Sequence, residues 1–334
     1  MTKTMAMQGI ATQWEANYAQ SAEKHLVHKA FNGEVFLTDS HRIDESTFEI
    51  AAFLPRAHTY YNDTQDSTRH DVSTLLEVFR QCSILVAHKF YGVALNSKFI
   101  FDSADFKVLH NEILENSPQS YQSIIKITIL QVKHKRGNNY GLLLDMQLFI
   151  GSKKYATKIM DMSWFAPKMY ERLRGEIANE NYIPLDKNEM SPKSLGRSTI
   201  TNVVITQFLQ ESQYFQTTII PNQAHPAFFD HQLDHIPASL LVEAIRQSSL
   251  LVIHSLYHLT PANVYVSGIK IDFKAFCGLY NDNFCFIEKE HCIKNNNDKN
   301  YSHHKSKSYN LCSIRNCIYT SGINDGYRDC NDLV

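Results

Sequence analysis

Two stretches of the chain place a glutamate and an arginine three residues apart in an otherwise apolar run. The two stretches are LLEVFRQCSILVAH (75–88) and LVEAIRQSSLLVIH (241–254). Residues three apart share one face of a helix, so Glu77 is predicted to pair with Arg80, and Glu243 with Arg246. A carboxylate shielded from water has a raised pKa and can accept a proton from an alcohol, while a guanidinium can hold a phosphate or an oxyanion. An internal ion pair with only a structural role would use the same residues.

The similarity between the two stretches extends along the chain on both sides. Upstream, PRAHTYYND (55–63) precedes the first stretch where QAHPAFFDH (223–231) precedes the second. Downstream, SADFKV (103–108) corresponds to KIDFKAF (270–276). A repeat distance of about 166 residues is too long for a solenoid and indicates a duplicated domain.

The elements that would position these residues can be read from the apolar pattern. Residues 75–90 are apolar on nearly every side, which is typical of a buried helix. The strand-like segments around this helix are 34–39, 46–54, 121–134, 140–150 and 153–164. Turns at RGNN and GS join the last three. The predicted fold is therefore α+β, with tandem hotdog repeats in which an antiparallel sheet wraps around a long central helix, forming a pseudo-dimer.

The predicted organisation divides the chain into five parts. They are a polar N-terminal segment (1–24), the first hotdog repeat (25–164), a polar linker (165–196), an apparently incomplete second repeat (197–290) and a tail rich in Asn, Lys and Cys (291–334). The second repeat should continue with three strands, but no sheet is predicted beyond a strand within 283–290. Either the tail is a natural disordered extension, or it is a frameshifted or eroded reading frame. We favour the second explanation because the missing strands would cover a buried helix.

The composition excludes several classes of protein. A net charge of −1 over 334 residues provides no basic surface for nucleic acid or for a membrane. The N-terminal sequence has no cationic end leading into an apolar core, and the apolar stretches are broken by Glu and Arg, so neither a secretory signal nor a membrane span is predicted. We expect a cytoplasmic protein. Since paired cysteine spacings and glycine-rich nucleotide loops are missing, no metal and no other cofactor is predicted.

Four long motifs, in order along both halves, resemble one known family. They are HKAFNGEVFLTD, FLPRAHTYY, LLEVFRQCSILVAHKFYGVALNSKFIF and HPAFFDHQLDHIPASLLVEAIRQ. These motifs are similar to those of the A-factor biosynthesis hotdog family of γ-butyrolactone synthases. The resemblance implies an acyltransferase that moves a β-ketoacyl group from acyl carrier protein to dihydroxyacetone phosphate, in the biosynthesis of a γ-butyrolactone signal or a related secondary metabolite. A homodimer is possible.

Other functions stay open at this point. PASLLVEA (237–244) is similar to a turn of hotdog dehydratases, in which a His fourteen residues before the helix carboxylate works with it. That position is Phe229 here, which argues against simple dehydration. The alternatives are another hotdog acyl-thioester enzyme, such as a thioesterase or dehydratase, and a degenerate protein that binds the acyl group or carrier protein without turnover.

The second Glu–Arg pair is the preferred place for the chemistry, because polar residues precede it closely in sequence. The candidate catalytic residues are Glu77, Arg80, Glu243 and Arg246. The candidates for substrate binding beside the second pair are Asp230, His231, Asp234 and His235. Arg56 and His58 are expected to form the opposite wall. Gln81 and Gln247 are expected to orient the charges or cap backbone groups.

Overall fold

The computed structural model describes residues 14–64, 69–110, 121–174, 190–212, 214–280, 282–288 and 316–320. Its helices are α1 (Val72–Tyr91), α2 (Pro167–Arg174) and α3 (Ala238–Tyr257). The strands of the first half are β1 (Leu37–Arg42), β2 (Thr47–Phe53), β3 (Lys98–Val108), β4 (Gln122–Lys135), β5 (Asn138–Ile150) and β6 (Lys153–Phe165). Those of the second half are β7 (Ile205–Gln210), β8 (Tyr214–Ile219), β9 (Gly268–Asp272), β10 (Asn283–Glu288) and β11 (Asn316–Thr320).

In the first half an antiparallel sheet covers a buried central helix, as the apolar pattern predicts. The sheet runs in the order β1-β2-β4-β5-β6-β3, and β9 of the second half continues it. Side chains of α1 such as Leu75, Val78 and Phe79 are fully buried against it. Four strands follow α1 rather than the expected three, since β3 forms an extra strand. Most residues of β3 are only partly buried, so its sequence lacks clear alternation.

The two halves join through an antiparallel pair of equivalent strands. Ser103 of β3 lies opposite Asp272 of β9, and Asp105 lies opposite Lys270. Asp105 and Asp272 occupy the same place in the repeated DFK sequence, so the pairing looks the same from either strand. This is the geometry of a two-fold interface, here formed within one chain.

The second sheet follows the same plan as the first over the part of the chain that the structure describes. Its order is β11-β10-β8-β7, which matches β5-β4-β2-β1 of the first half. The prediction of no sheet beyond residue 290 is wrong for β11, which pairs antiparallel with β10. No counterpart of β6 occurs among the described residues. The remainder of the predicted tail lies outside them, and so does most of the N-terminal segment.

The turns at RGNN and GS are located where the sequence predicts them. Arg136 and Gly137 have φ angles of 51° and 82° between β4 and β5. Positive φ at two successive turn residues matches the type I′ turn, whose twist suits a hairpin. Gly151, with φ of 58°, turns the chain from β5 into β6.

The segment predicted as a linker contains α2, which packs against the second half. The Tyr170 hydroxyl donates to Asp234 Oδ1 at 3.3 Å, and Arg174 Nε donates to Asp234 Oδ2 at 3.1 Å. None of the helices in the described ranges is long and apolar enough to cross a membrane.

A substitution at Gly141 of β5 tests how closely the strands of the first sheet pack. A Cβ at this position would overlap the Met162 carbonyl oxygen and the Lys133 side chain. We expect Gly141→Ala to lower the free energy of unfolding by about 1–3 kcal/mol, because the strands must separate to accept the methyl group. Denaturant unfolding followed by circular dichroism measures the change. Gly33→Ala is the control, since no atom lies within 4 Å of its added Cβ, and equal stability of the two variants would contradict the prediction.

Candidate active site

Each central helix carries a glutamate that is fixed by a glutamine one turn further along. Gln81 accepts from the Phe36 backbone N–H at 3.0 Å and donates to Glu77 Oε1 at 2.8 Å. The same bonds recur in the second half, where the equivalent residues are Gln247, Val204 and Glu243. In both halves the helix is thereby tied to the residue that directly precedes the first strand of its own sheet.

Both predicted Glu–Arg pairs are present, and both are bidentate. Arg80 donates to Glu77 through Nε at 2.7 Å and Nη2 at 2.8 Å. Arg246 donates to Glu243 at 2.8 and 2.7 Å through the same atoms. A fork of two parallel charge-assisted hydrogen bonds holds each guanidinium in one orientation.

Each glutamate also forms an ion pair with a second cation. Neither of these two cations was predicted from the sequence. Lys29 Nζ lies 3.2 Å from Glu77 Oε1. Arg197 donates to Glu243 through Nε at 2.9 Å and Nη2 at 2.8 Å. Lys29 and Arg197 both lie in the loop before the first strand of their half, at nearly equal distances before the glutamate. That shared spacing of a cation is the signal that could have identified them.

The second cations reverse the pKa shift that the sequence suggests. Burial alone raises a carboxyl pKa, but Arg80 and Lys29 outweigh it and hold the pKa of Glu77 well below its ordinary value. Arg197 and Arg246 have the same effect on the pKa of Glu243. The expectation of a raised carboxyl pKa is wrong, so neither glutamate is suited to accept a proton at neutral pH.

The loop before each helix crosses to the glutamate of the other half. Asp230 accepts from the Ala30 backbone N–H at 3.1 Å and lies 3.9 Å from Lys29 Nζ. Asp63 makes the equivalent bond with the Ser198 N–H at 3.0 Å in the second half. The expectation that Asp230 and its neighbours flank the second pair is therefore wrong. The two-fold arrangement of the halves brings them to the first pair instead.

The centre around Glu243 is closed. Arg197 lies between Glu243 and Asp71, with Nη1 3.1 Å from Asp71 Oδ2, and the Tyr60 hydroxyl donates to Glu243 Oε2 at 3.2 Å. Arg197 is 0% exposed and Glu243 is 1% exposed. The pocket beside Arg246 holds only about 60 Å³. The preferred position of the chemistry thus has no room for a substrate.

The centre around Glu77 is open. Three residues differ from the closed centre at equivalent positions. They are Ala227 in place of Tyr60, Lys29 in place of Arg197, and Pro237 in place of Asp71. A cleft of about 1470 Å³ begins here, lined by Glu77, Arg80 and Lys29 together with residues of the second half. The loss of one aromatic ring and one guanidinium explains why this centre opens.

The predicted residues of the 230–235 loop all line this cleft. Asp230 Oδ1 lies 2.6 Å from His231 Nδ1, and Asp234 Oδ1 lies 2.6 Å from His235 Nδ1. Arg174, which no sequence signal identified, lines the cleft as well and holds Asp234. Each of these histidines is therefore held by the carboxylate of the residue before it.

Two predicted residues lie elsewhere. Arg56 is exposed, with its guanidinium over the ring of Tyr121 at 5.1 Å from the centroid, and does not line the cleft. The prediction that it forms a wall of the site is wrong, because its guanidinium lies against Tyr121 of the first half instead. His58 Nε2 lies within hydrogen-bond distance of Glu34 Oε1, at 3.1 Å, and His58 does not line the cleft either.

The two central helices begin differently. The Asp71 side chain caps α1 by accepting from the Ser73 backbone N–H at 2.7 Å. Helix α3 follows Pro237 and has no side-chain cap. Pro237, Ala238 and Ser239 line the open cleft, so the uncapped helix start lies beside the Glu77 centre.

Comparisons with known proteins agree with this architecture. Residues 10–166 and 182–292 match the family model of the A-factor biosynthesis hotdog domain. Proteins named 2-oxo-3-(phosphooxy)propyl 3-oxoalkanoate synthase are 26% identical over 227 residues in Streptomyces virginiae (68% of this chain, 75% of that protein) and over 239 residues in Streptomyces griseus (71% and 77%).

Solved structures with a similar chain path are more distant. The 12:0-ACP thioesterase of Umbellularia californica is 8% identical, with a TM-score of 0.43 over 74% of this chain and 88% of that one. An acyl-ACP thioesterase of Bacteroides thetaiotaomicron is 8% identical, with a TM-score of 0.44 over 76% and 91%. The family match spans both halves and most of the chain, and each half wraps a sheet around one long helix. The chain is therefore a tandem hotdog protein and belongs to the A-factor biosynthesis hotdog domain family.

Proposed function

We propose that this chain transfers a β-ketoacyl group from an acyl carrier protein thioester to the hydroxyl of dihydroxyacetone phosphate. The ester would lead to a γ-butyrolactone-type signal or a related metabolite. The relatives named 2-oxo-3-(phosphooxy)propyl 3-oxoalkanoate synthase support this reaction, since that name describes such an ester. The observation that carries the proposal is the open centre at Glu77, where two cations border a large cleft.

The size of the cleft favours a reaction of two organic substrates. Pockets for one drug-sized ligand usually hold roughly 300–1,000 Å³, and this cleft holds about 1470 Å³. Phe99, Phe101 and Ile84 give it an apolar wall for an acyl chain. A cleft of this size has room for an acyl chain together with a second, polar substrate.

The charges around Glu77 suit a phosphorylated acceptor. Lys29 and Arg80 both line the cleft, and their glutamate partner holds them in place. We assign phosphate binding to these two cations, and an orienting role to Glu77. The uncapped start of α3 lies in the same cleft, where its backbone N–H groups can stabilise the oxyanion that forms on the thioester carbonyl.

Direct attack by the acceptor fits the cleft better than an acyl-enzyme intermediate. Cys277 is the cysteine that lines the cleft among the described residues. Burial raises the pKa of its thiol to about 11, so very little thiolate exists at neutral pH. We therefore propose that the acceptor hydroxyl attacks the thioester carbon and that the carrier thiol leaves.

The reaction can be tested directly with purified protein. A β-ketoacyl carrier-protein thioester should be consumed only when dihydroxyacetone phosphate is present, and mass spectrometry should detect the phosphorylated ester. Free acid without the acceptor would show a thioesterase, an enoyl product would show a dehydratase, and binding without turnover would show a non-catalytic protein. Each of these three results would contradict the proposal.

Exchanging a residue between the two centres tests which of them is active. We expect Ala227→Tyr to reduce kcat/KM more than tenfold with no loss of melting temperature, because the ring would fill the open centre as Tyr60 fills the closed one. The matched variant Tyr60→Phe removes only the hydroxyl on Glu243. We expect Tyr60→Phe to lower the free energy of unfolding by about 1 kcal/mol, the typical contribution of one hydrogen bond, and to leave kcat/KM unchanged. Full activity of Ala227→Tyr would place the reaction outside the Glu77 centre.

A further inference from the structure

His28 has a left-handed backbone conformation, which is uncommon for a residue other than glycine. Its φ and ψ are 53° and 54°, in the left-handed region, which disfavours a residue with a Cβ by about 1–3 kcal/mol. The equivalent residue of the second half is Gly196, with φ of 70°, which adopts this conformation without strain. At this position the half with the open cleft therefore has a strained backbone and the closed half does not, and such strain concentrates at functional sites.

Two hydrogen bonds determine which nitrogen of His28 carries the proton. His88 Nδ1 lies 2.8 Å from the Val93 carbonyl oxygen, which can only accept, so His88 Nδ1 is protonated. Burial lowers the pKa of His88, so its ring is neutral at pH 7 and its Nε2 is an acceptor. His28 Nε2 lies 2.8 Å from that Nε2 and must donate to it. The proton of the neutral His28 ring is thus on Nε2, and Nδ1 has a lone pair.

The Nδ1 atom of His28 is available to a substrate. His28 lines the cleft. Within the described part of the chain its Nδ1 has no hydrogen-bond partner, and it is not among the buried polar atoms that lack one. The atom is therefore reachable from the cleft. The next residue along the chain, Lys29, contacts Glu77, so this acceptor lies beside the proposed phosphate-binding cations.

We infer that His28 Nδ1 is the proton acceptor for the hydroxyl of the acceptor substrate, an inference that rests on the proposed acyl transfer. As the hydroxyl oxygen forms its bond to the thioester carbon, its proton moves to Nδ1. The tetrahedral intermediate then collapses, the C–S bond breaks, and the proton passes from Nδ1 to the departing thiolate. Ester and free carrier thiol are the products, and the imidazole ends neutral. His88 acts as a positioning residue that fixes the tautomer.

The charges around the ring make its basicity depend on the bound substrate. Burial, His88, Arg80, His231 and Lys98 together lower the pKa of His28 to about 3, so the ring of the free protein is neutral but only weakly basic at pH 7. An anionic phosphate bound near these cations would oppose them and raise that pKa, so His28 becomes an effective proton acceptor once the acceptor substrate is bound. Glu77 cannot replace His28, because Arg80, Lys29 and Gln81 already occupy its carboxylate oxygens.

Replacing His28 by the residue of the other half gives a sharp test. His28→Gly suits the left-handed backbone, so the full-length protein should keep or raise its melting temperature. The rate of acyl transfer to dihydroxyacetone phosphate should fall about 10²–10⁴-fold, as for loss of a general base. Added imidazole should restore part of the rate, and more basic imidazoles should restore more. His28→Asn, which tolerates this backbone but cannot take the proton, should stay slow.

The controls separate failure of this inference from failure of the proposed function. His254→Ala removes the counterpart of His88 in the second half, where Gly196 leaves it no histidine partner, and it should keep full activity. Full activity of His28→Gly, or rescue that is independent of imidazole basicity, would overturn the role of His28. Absence of ester synthesis by the unsubstituted protein would instead refute the proposed function. In that case ¹⁵N NMR of the histidines still decides, since a proton on His28 Nδ1 would overturn the inference.

Discussion

A carboxylate buried near the start of each central helix must be neutralised, and this requirement organises the whole molecule. Glu77 and Glu243 each receive two cations from their own half, while the loop that fixes the neighbouring backbone comes from the other half. An uncompensated buried charge is destabilising by about 3–5 kcal/mol. The loop from the other half therefore fixes the segment that carries the second cation, and the paired β3 and β9 strands hold the halves in that position.

The same framework yields one closed centre and one open one. Tyr60 and Arg197 fill the space beside Glu243, and Asp71 supplies the second carboxylate that balances the two guanidinium groups. At Glu77 the smaller Ala227 and the single ammonium of Lys29 leave a cleft. Burial and charge balance thus stabilise the closed centre, whereas the open centre gives up packing and gains access for a ligand. The difference between the closed and the open centre follows from side-chain volume and charge at three pairs of equivalent positions.

Much of the fold could be predicted from the sequence, because apolar alternation and turn residues reflect local geometry. Buried helices, hairpins and the internal repeat belong to this class. Strand β11 lacks a sustained alternating pattern around it, and β3 is too little buried to show one. Both depend on partners distant in sequence.

The site was harder to predict than the fold. The Glu–Arg pairs follow from helix spacing, but Asp230 lies near Glu243 in sequence and near Lys29 in space. Proximity along the chain was therefore misleading where a two-fold arrangement exchanges loops. Lys29, Arg197 and His28 were missed because their neighbours in the two halves, VHKAF and LGRST, are scarcely alike. The nearly equal spacing of Lys29 and Arg197 before the two glutamates is their one sequence signal, and their contacts with those glutamates establish the equivalence.

The joining of both halves in one polypeptide has a genetic consequence. In a homodimer, one codon would specify the residue at both centres, so Tyr60 and Ala227 would have to be identical. A filled centre and an empty one could then not coexist in the same assembly. Duplication followed by covalent linkage releases each copy from that constraint. The residues around Glu243 can then change toward tighter packing while those around Glu77 change toward access for a ligand.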